Sequence, residues 1–251
     1  MAYSRLPAFA ALAVFLTTTA NAHQADNEQV RELSPVEINS KKNPGNVPYA
    51  TFLKHQAFLQ SLLPPEPRVI DLRLRLSFTG ITGPARDTYL PDSWAVAIVG
   101  ETQDQTIPVD RGGYFLLPNN EQAAREQATL MFNTQTRKGY VNVAWKLRLR
   151  EGQMLPYADF AKAFDEVKRV QQQIPWYRIS MYDERVARFD GLKACFFTGE
   201  GRIEIGGQPA AARTEGMCQV IRFDPALAGV DRNDIAFIGQ LDTVTLHDAA
   251  R

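Results

Sequence analysis

The chain has 251 residues, 45% of them apolar, with 28 Lys+Arg against 28 Asp+Glu, 3 His and 2 Cys. That composition excludes a disordered chain, and the zero net charge removes any whole-molecule reason to bind nucleic acid. Two cysteines cannot build a disulfide-dense scaffold or a four-cysteine zinc site, and the length suits one large domain or two small ones.

Residues 1–22 read as a secretory signal peptide. Arg5 gives the positive start, Leu6 to Leu16 the apolar stretch, and Ala20-Asn21-Ala22 an A-x-A cleavage site. The apolar stretch would span only about 16 Å as a helix, too short for a hydrocarbon core of about 30 Å. No second membrane span is expected. The expected location is therefore the bacterial periplasm or the outside, with a mature chain starting at His23. Residues 23–46 are polar and read as a partly mobile leader.

The remainder predicts two helix-plus-strand subdomains, 47–150 and 151–251. The first helix, about 48–63, has Pro48 in its opening turn and Tyr49, Phe52, Leu59 and Leu63 at helical spacing. Pro64-Pro65-Glu66-Pro67 ends it. Ile70 to Thr79 alternates apolar and polar without a break, the mark of a strand with one wet face. Trp94 to Gly100 reads as a more buried strand. Asp110-Arg111-Gly112-Gly113 reads as a hairpin turn between Thr106–Val109 and Tyr114–Leu117. Ala128–Asn133 and Gly139–Arg150 complete the first set of strands.

A second helix is expected over 156–172, with Tyr157, Phe160, Phe164 and Val167 as its stripe. Strands are expected at Tyr177–Tyr182, Leu192–Thr198, Arg202–Ile205, Cys218–Phe223 and Ile235–Leu246, the last broken at Gly239. The fold class is thus α+β, mainly antiparallel β, with β-sandwich-like sheets and two packed amphipathic helices. Export makes Cys195 and Cys218 an expected disulfide, joining strands on either side of a loop at 208–216.

The stretch from Val47 to Lys54 (VPYATFLK) echoes Leu155 to Lys162 (LPYADFAK), 108 residues later. Two related halves predict the same strand order after each helix, whereas two independent helices do not. The stretch Val109 to Pro118 resembles the hairpin of carboxypeptidase-regulatory, transthyretin-like β-sandwich modules, which carry an acidic-glycine-aromatic turn running into a strand and a proline. The resemblance covers that stretch alone and implies only a common hairpin solution.

Chemistry is sparse. There is no G-x-S-x-G elbow, H-E-x-x-H, Walker A or EF-hand loop. After cleavage only His23, His55 and His247 remain. His55 is placed on the flank of the first helix away from the apolar stripe, facing solvent. His23 offers an amine and an imidazole to Cu(II), like the N-terminal histidine brace of copper monooxygenases, though the residues after it do not suggest a rigid support. The acid pairs Asp165-Glu166 and Asp183-Glu184 admit a carboxylate hydrolase without specifying one. Trp145, Trp176 and Tyr177 are aromatic enough to stack on sugars, but in strands they read as core.

The second candidate site is electrostatic. Arg73 and Arg75 share one strand face, and Lys146, Arg148 and Arg150 share another. If the two strands are neighbours, these five cations form a patch for an anionic envelope polymer, lipid headgroups or a carboxylate-rich envelope protein. The sequence therefore reads as an exported, non-enzymatic binding module with no cofactor. A carboxylate hydrolase and a copper protein are the alternatives.

Overall fold

The computed structural model describes residues 46–78, 80–133, 139–175, 189–229 and 233–248. The signal segment, the leader to residue 45, the strand expected at 177–182, the aromatics Trp176 and Tyr177 and the acid pair Asp183-Glu184 lie outside them.

The first half runs β1 (Val47–Pro48), α1 (Tyr49–Ser61), β2 (Ile70–Phe78), α2 (Pro84–Asp87), β3 (Val96–Val99), β4 (Asp104–Ile107), β5 (Tyr114–Phe115), α3 (Glu121–Arg125), β6 (Thr129–Phe132) and β7 (Gly139–Leu147). The second runs β8 (Met154–Pro156), α4 (Tyr157–Gln173), β9 (Gly191–Phe196), β10 (Arg202–Ile205), β11 (Gln208–Pro209), β12 (Arg213–Glu215), β13 (Cys218–Arg222), a 3-10 turn (Pro225–Leu227), β14 (Asp234–Ile238) and β15 (Leu241–His247). The architecture is α+β and mainly antiparallel.

The strand order after each helix is the same. One small sheet has the order β1-β6-β3-β4 and the other β8-β14-β10-β11. A seven-stranded sheet has the order β12-β13-β9-β15-β7-β2-β5, so β5-β2-β7 of the first half meets β13-β9-β15 of the second across a β7–β15 seam. Register repeats as well. Val47 faces Leu130 and Val96 faces Phe132, just as Leu155 faces Ile235 and Ile203 faces Phe237.

Hydrogen bonds repeat too. Tyr49 donates its backbone N–H to Ala128, and Tyr157 to Asn233. The Tyr49 hydroxyl accepts the Asn120 N–H at 3.0 Å, and the Tyr157 hydroxyl accepts the Asp224 N–H at 2.8 Å. Asn120 and Asp224 in turn cap the short helical turns that follow them, each through its side-chain oxygen. The sequence echo is thus carried through topology, register and capping.

Both halves bury the same face of the large sheet. In β2 the apolar positions Ile70, Leu72, Leu74 and Leu76 are all buried, as the alternation requires. Leu74, Leu76 and Phe78 pack with Tyr49, Val96, Ile98 and Leu130 of the first half. Ile70, Leu72, Trp145 and Leu147 pack with α4 and the second small sheet. Trp145 is therefore core.

Several local expectations are corrected. The turn at Asp110–Gly113 does not close a hairpin. β4 pairs with β3 in the small sheet, β5 pairs with β2 in the large one, and only the bridge Asp110–Tyr114 links the flanks. The chain changes sheets there through Gly112 and Gly113, with φ of 80° and 81°. A Cβ on Gly113 would lie 2.5 Å from the Leu76 carbonyl oxygen, so no other residue fits. Glu121–Arg125 forms helix α3, and the loop expected at 208–216 contains β11 and β12. Pro48 is the residue before α1 rather than part of its first turn.

Candidate functional site

α1 and α4 occupy equivalent places but are built differently. α4 buries Tyr157, Phe160, Ala163, Val167 and Val170. Phe223 stacks on Tyr157 and meets Phe160 and Phe164 edge-on. α1 buries only Tyr49, Gln56 and Leu59. At the 108-residue offset, His55 stands where α4 has Ala163, and Gln56 where it has Phe164. Two polar side chains thus replace a small residue and an aromatic on the inward side of α1.

Gln56 is held by the backbone of another segment. Its amide donates to the Leu117 carbonyl at 2.9 Å and accepts the Leu117 N–H at 2.9 Å. Both ends are consumed, so a buried polar group is held without penalty. Gln56 therefore presents only its aliphatic stem to the space beside it.

That space is a cavity of about 300 Å3 beneath α1. Val47, Phe52, Leu59, Leu74, Val141 and Val143 give it apolar walls, and Thr51 and His55 add the remaining polar side chains from α1. Asn142 contributes to the wall, but its amide reaches Ser77 on the other face of the sheet. His55 is half-buried and lines the cavity, so its expected solvent-facing position is corrected. The expectation rested on the stripe Tyr49, Phe52, Leu59, Leu63. The buried line runs through Gln56 instead, because that amide finds a backbone partner.

The five cations lie on the opposite face of the large sheet and around its rim. β2 and β7 are neighbours, with Asp71 opposite Lys146, so the condition for a shared patch is met. Most of the charge is spent internally, however. Arg75 pairs with the buried Asp87 at 2.8 Å and lies over the Tyr114 ring. Arg148 holds both Glu66 and Asp71 at 2.8 Å, and Arg150 reaches Asp159 at 3.1 Å. Among the described residues, Arg73 and Lys146 make no ion pair within 4 Å. Burial, and then Arg73, lowers the Lys146 pKa below its usual value.

Asp87 organises this face. Lys193 pairs with it at 2.6 Å and also holds Glu215 at 2.6 Å, which Arg213 holds in turn. Burial pushes the Asp87 carboxyl up, but the bonds from Arg75 and Lys193 outweigh it, so its pKa lies below the ordinary value. Glu166 of the acid pair on α4 is also structural: it is buried and accepts the Val69 N–H at 3.0 Å.

Cys195 and Cys218 face each other in β9 and β13 and are joined as a disulfide. Asp87 lies beside them, but oxidised sulfurs supply no thiolate for a metal. His23 lies outside the described residues.

The chain matches no protein-family profile, no curated protein and no solved structure. Function is therefore argued from the site alone. The cavity escaped a single-helix reading of the sequence. Its signal was the mismatch between the repeats, His55-Gln56 against Ala163-Phe164.

Proposed function

We propose that the protein is an exported, non-enzymatic binding module of the cell envelope, and that the cavity beneath α1 is its binding element. The cavity carries this reading. It is apolar, it opens beside exposed Thr51, and it falls within the low end of the range of small-molecule sites, roughly 300–1,000 Å3. Of the acid pairs considered for hydrolysis, Glu166 is buried and bonded to the Val69 N–H. Asp71, Asp87 and Glu166 are committed to arginine, lysine or backbone partners.

Export rests on the signal-like residues 1–22 and is supported by the disulfide, which persists in oxidising compartments. An anionic envelope partner on the cationic face would meet Arg73 and Lys146, since Arg75, Arg148 and Arg150 already hold acids.

Fractionation of a bacterium expressing the full chain tests the reading, with intact-mass and thiol-labelling analysis of the product and native mass spectrometry of what it carries. The expected product is periplasmic or secreted, begins at His23, has no reactive thiol and carries a small apolar adduct. A chain retaining residues 1–22 in the cytoplasm with two reactive thiols contradicts the reading.

A further inference from the structure

We infer that the cavity takes a single-chain amphiphile of about ten carbons, tail inward and head at Thr51 and His55. This deepens the binding reading above and rests on it.

Size sets the tail. A cavity of about 300 Å3 is twice the roughly 150 Å3 that holds one benzene ring. That admits one chain of roughly ten carbons and excludes a two-chain lipid.

Wall chemistry sets what the tail must be. The inner side chains are Phe52, Leu59, Leu74, Val141 and Val143. Of the polar residues beside them, Gln56 has both amide ends bonded to Leu117, and the Asn142 amide reaches Ser77 on the other face of the sheet. A polar ligand group pushed inward would meet no side-chain partner and pay its desolvation unrelieved.

The rim sets the head. Thr51 and His55 are four residues apart, hence one above the other on the same side of α1. Thr51 is exposed and His55 half-buried, so this edge of the cavity meets water. A hydroxyl and an imidazole there accept a hydrogen-bonding head, either a carboxylate or an alcohol. In α4 the position of His55 is taken by Ala163, which is fully buried and offers no hydrogen-bonding side chain.

The test is methyl NMR of the mature chain titrated with decanoate, 1-decanol and naphthalene. Both ten-carbon probes should shift the Leu59, Leu74, Val141 and Val143 methyls, saturate at one equivalent, and leave Val167 and Val244 unmoved. Thr51→Trp should block the mouth and abolish these shifts with an unchanged melting temperature, because Thr51 is a surface residue. His55→Ala should weaken decanol roughly 2- to 12-fold, the worth of one hydrogen bond, and leave naphthalene unaffected.

Naphthalene shifting the cavity methyls while both amphiphiles do not would overturn the ligand class and leave the binding reading standing. Silence of the cavity methyls to all three probes would remove both. Equal decanol affinity in His55→Ala and wild type would overturn the head assignment.

Discussion

The two halves share one topology but use it in opposite ways. Against α4, Phe160, Phe164 and Phe223 form an aromatic cluster, and a disulfide ties β9 to β13. Beneath α1 the equivalent helix carries His55 and Gln56 on its inward side and leaves a cavity. Since strand order, register and the tyrosine caps are common to both, none of these explains the cavity. A few side chains do. The half whose helix buries fewer side chains is the one with the internal volume beneath it.

The largest effects should come from breaking the aromatic cluster of the second half. Phe160→Ala removes a fully buried ring and should cost about 3–5 kcal/mol in urea unfolding. Phe52→Ala, at the same position of α1, removes a partly buried ring against the cavity and should cost less than half as much. Equal losses would mean that α1 packs as tightly as α4.

Asp87→Asn should approach the same size. It leaves Arg75 buried without its counter-charge and Lys193 with Glu215 alone, and breaking a buried pair typically costs about 3–5 kcal/mol. The sign of its pH dependence follows from linkage. The Asp87 and Glu215 carboxyls are depressed in the folded state despite burial. Their stabilisation is therefore present above the unfolded carboxylate range, about pH 4. It is lost as pH falls through their folded values. Wild type should lose stability below about pH 4, and Asp87→Asn should show a shallower loss over that window. A parallel slope in the variant would mean that Asp87 does not titrate in this way.

Cys195→Ser with Cys218→Ser releases a link spanning 23 residues. On chain-entropy grounds it should cost about 3 kcal/mol, without changing ligand binding in the first half. A loss of binding would show that the halves are coupled. The smallest change in stability is expected for Val143→Leu, under about 1 kcal/mol, because the added methylene enters empty volume. The same substitution should weaken decanoate binding measurably, so affinity and stability should separate here.

Much of this was legible in the sequence. Period-two alternation in Ile70–Phe78 and Gly139–Leu147 defined the two strands that meet across the first half. The aromatic stripes placed α1 and α4, and the PYA-x-F echo pointed to two related halves. The cysteine pairing followed from compartment reasoning. Local pattern failed where a residue's role depends on a distant partner. Gln56 reads as surface until Leu117, 61 residues away, is seen to occupy its amide. The cations read as a binding patch until Glu66, Asp87 and Asp159, from outside the two strands, are seen to neutralise most of them. The glycine pair at 112–113 reads as a hairpin, because a change of sheets and a reversal of direction use the same turn residues.

The central claim is that the cavity beneath α1 in the first half is a ligand site. A crystal structure of the mature chain grown with 10-bromodecanoate tests it most directly, through the anomalous signal of bromine. The account predicts a single bromine peak beneath α1, between Leu74 and Val143, and none beneath α4. A peak beside Phe160 and Phe223, or an empty α1 cavity at saturating ligand, would contradict it.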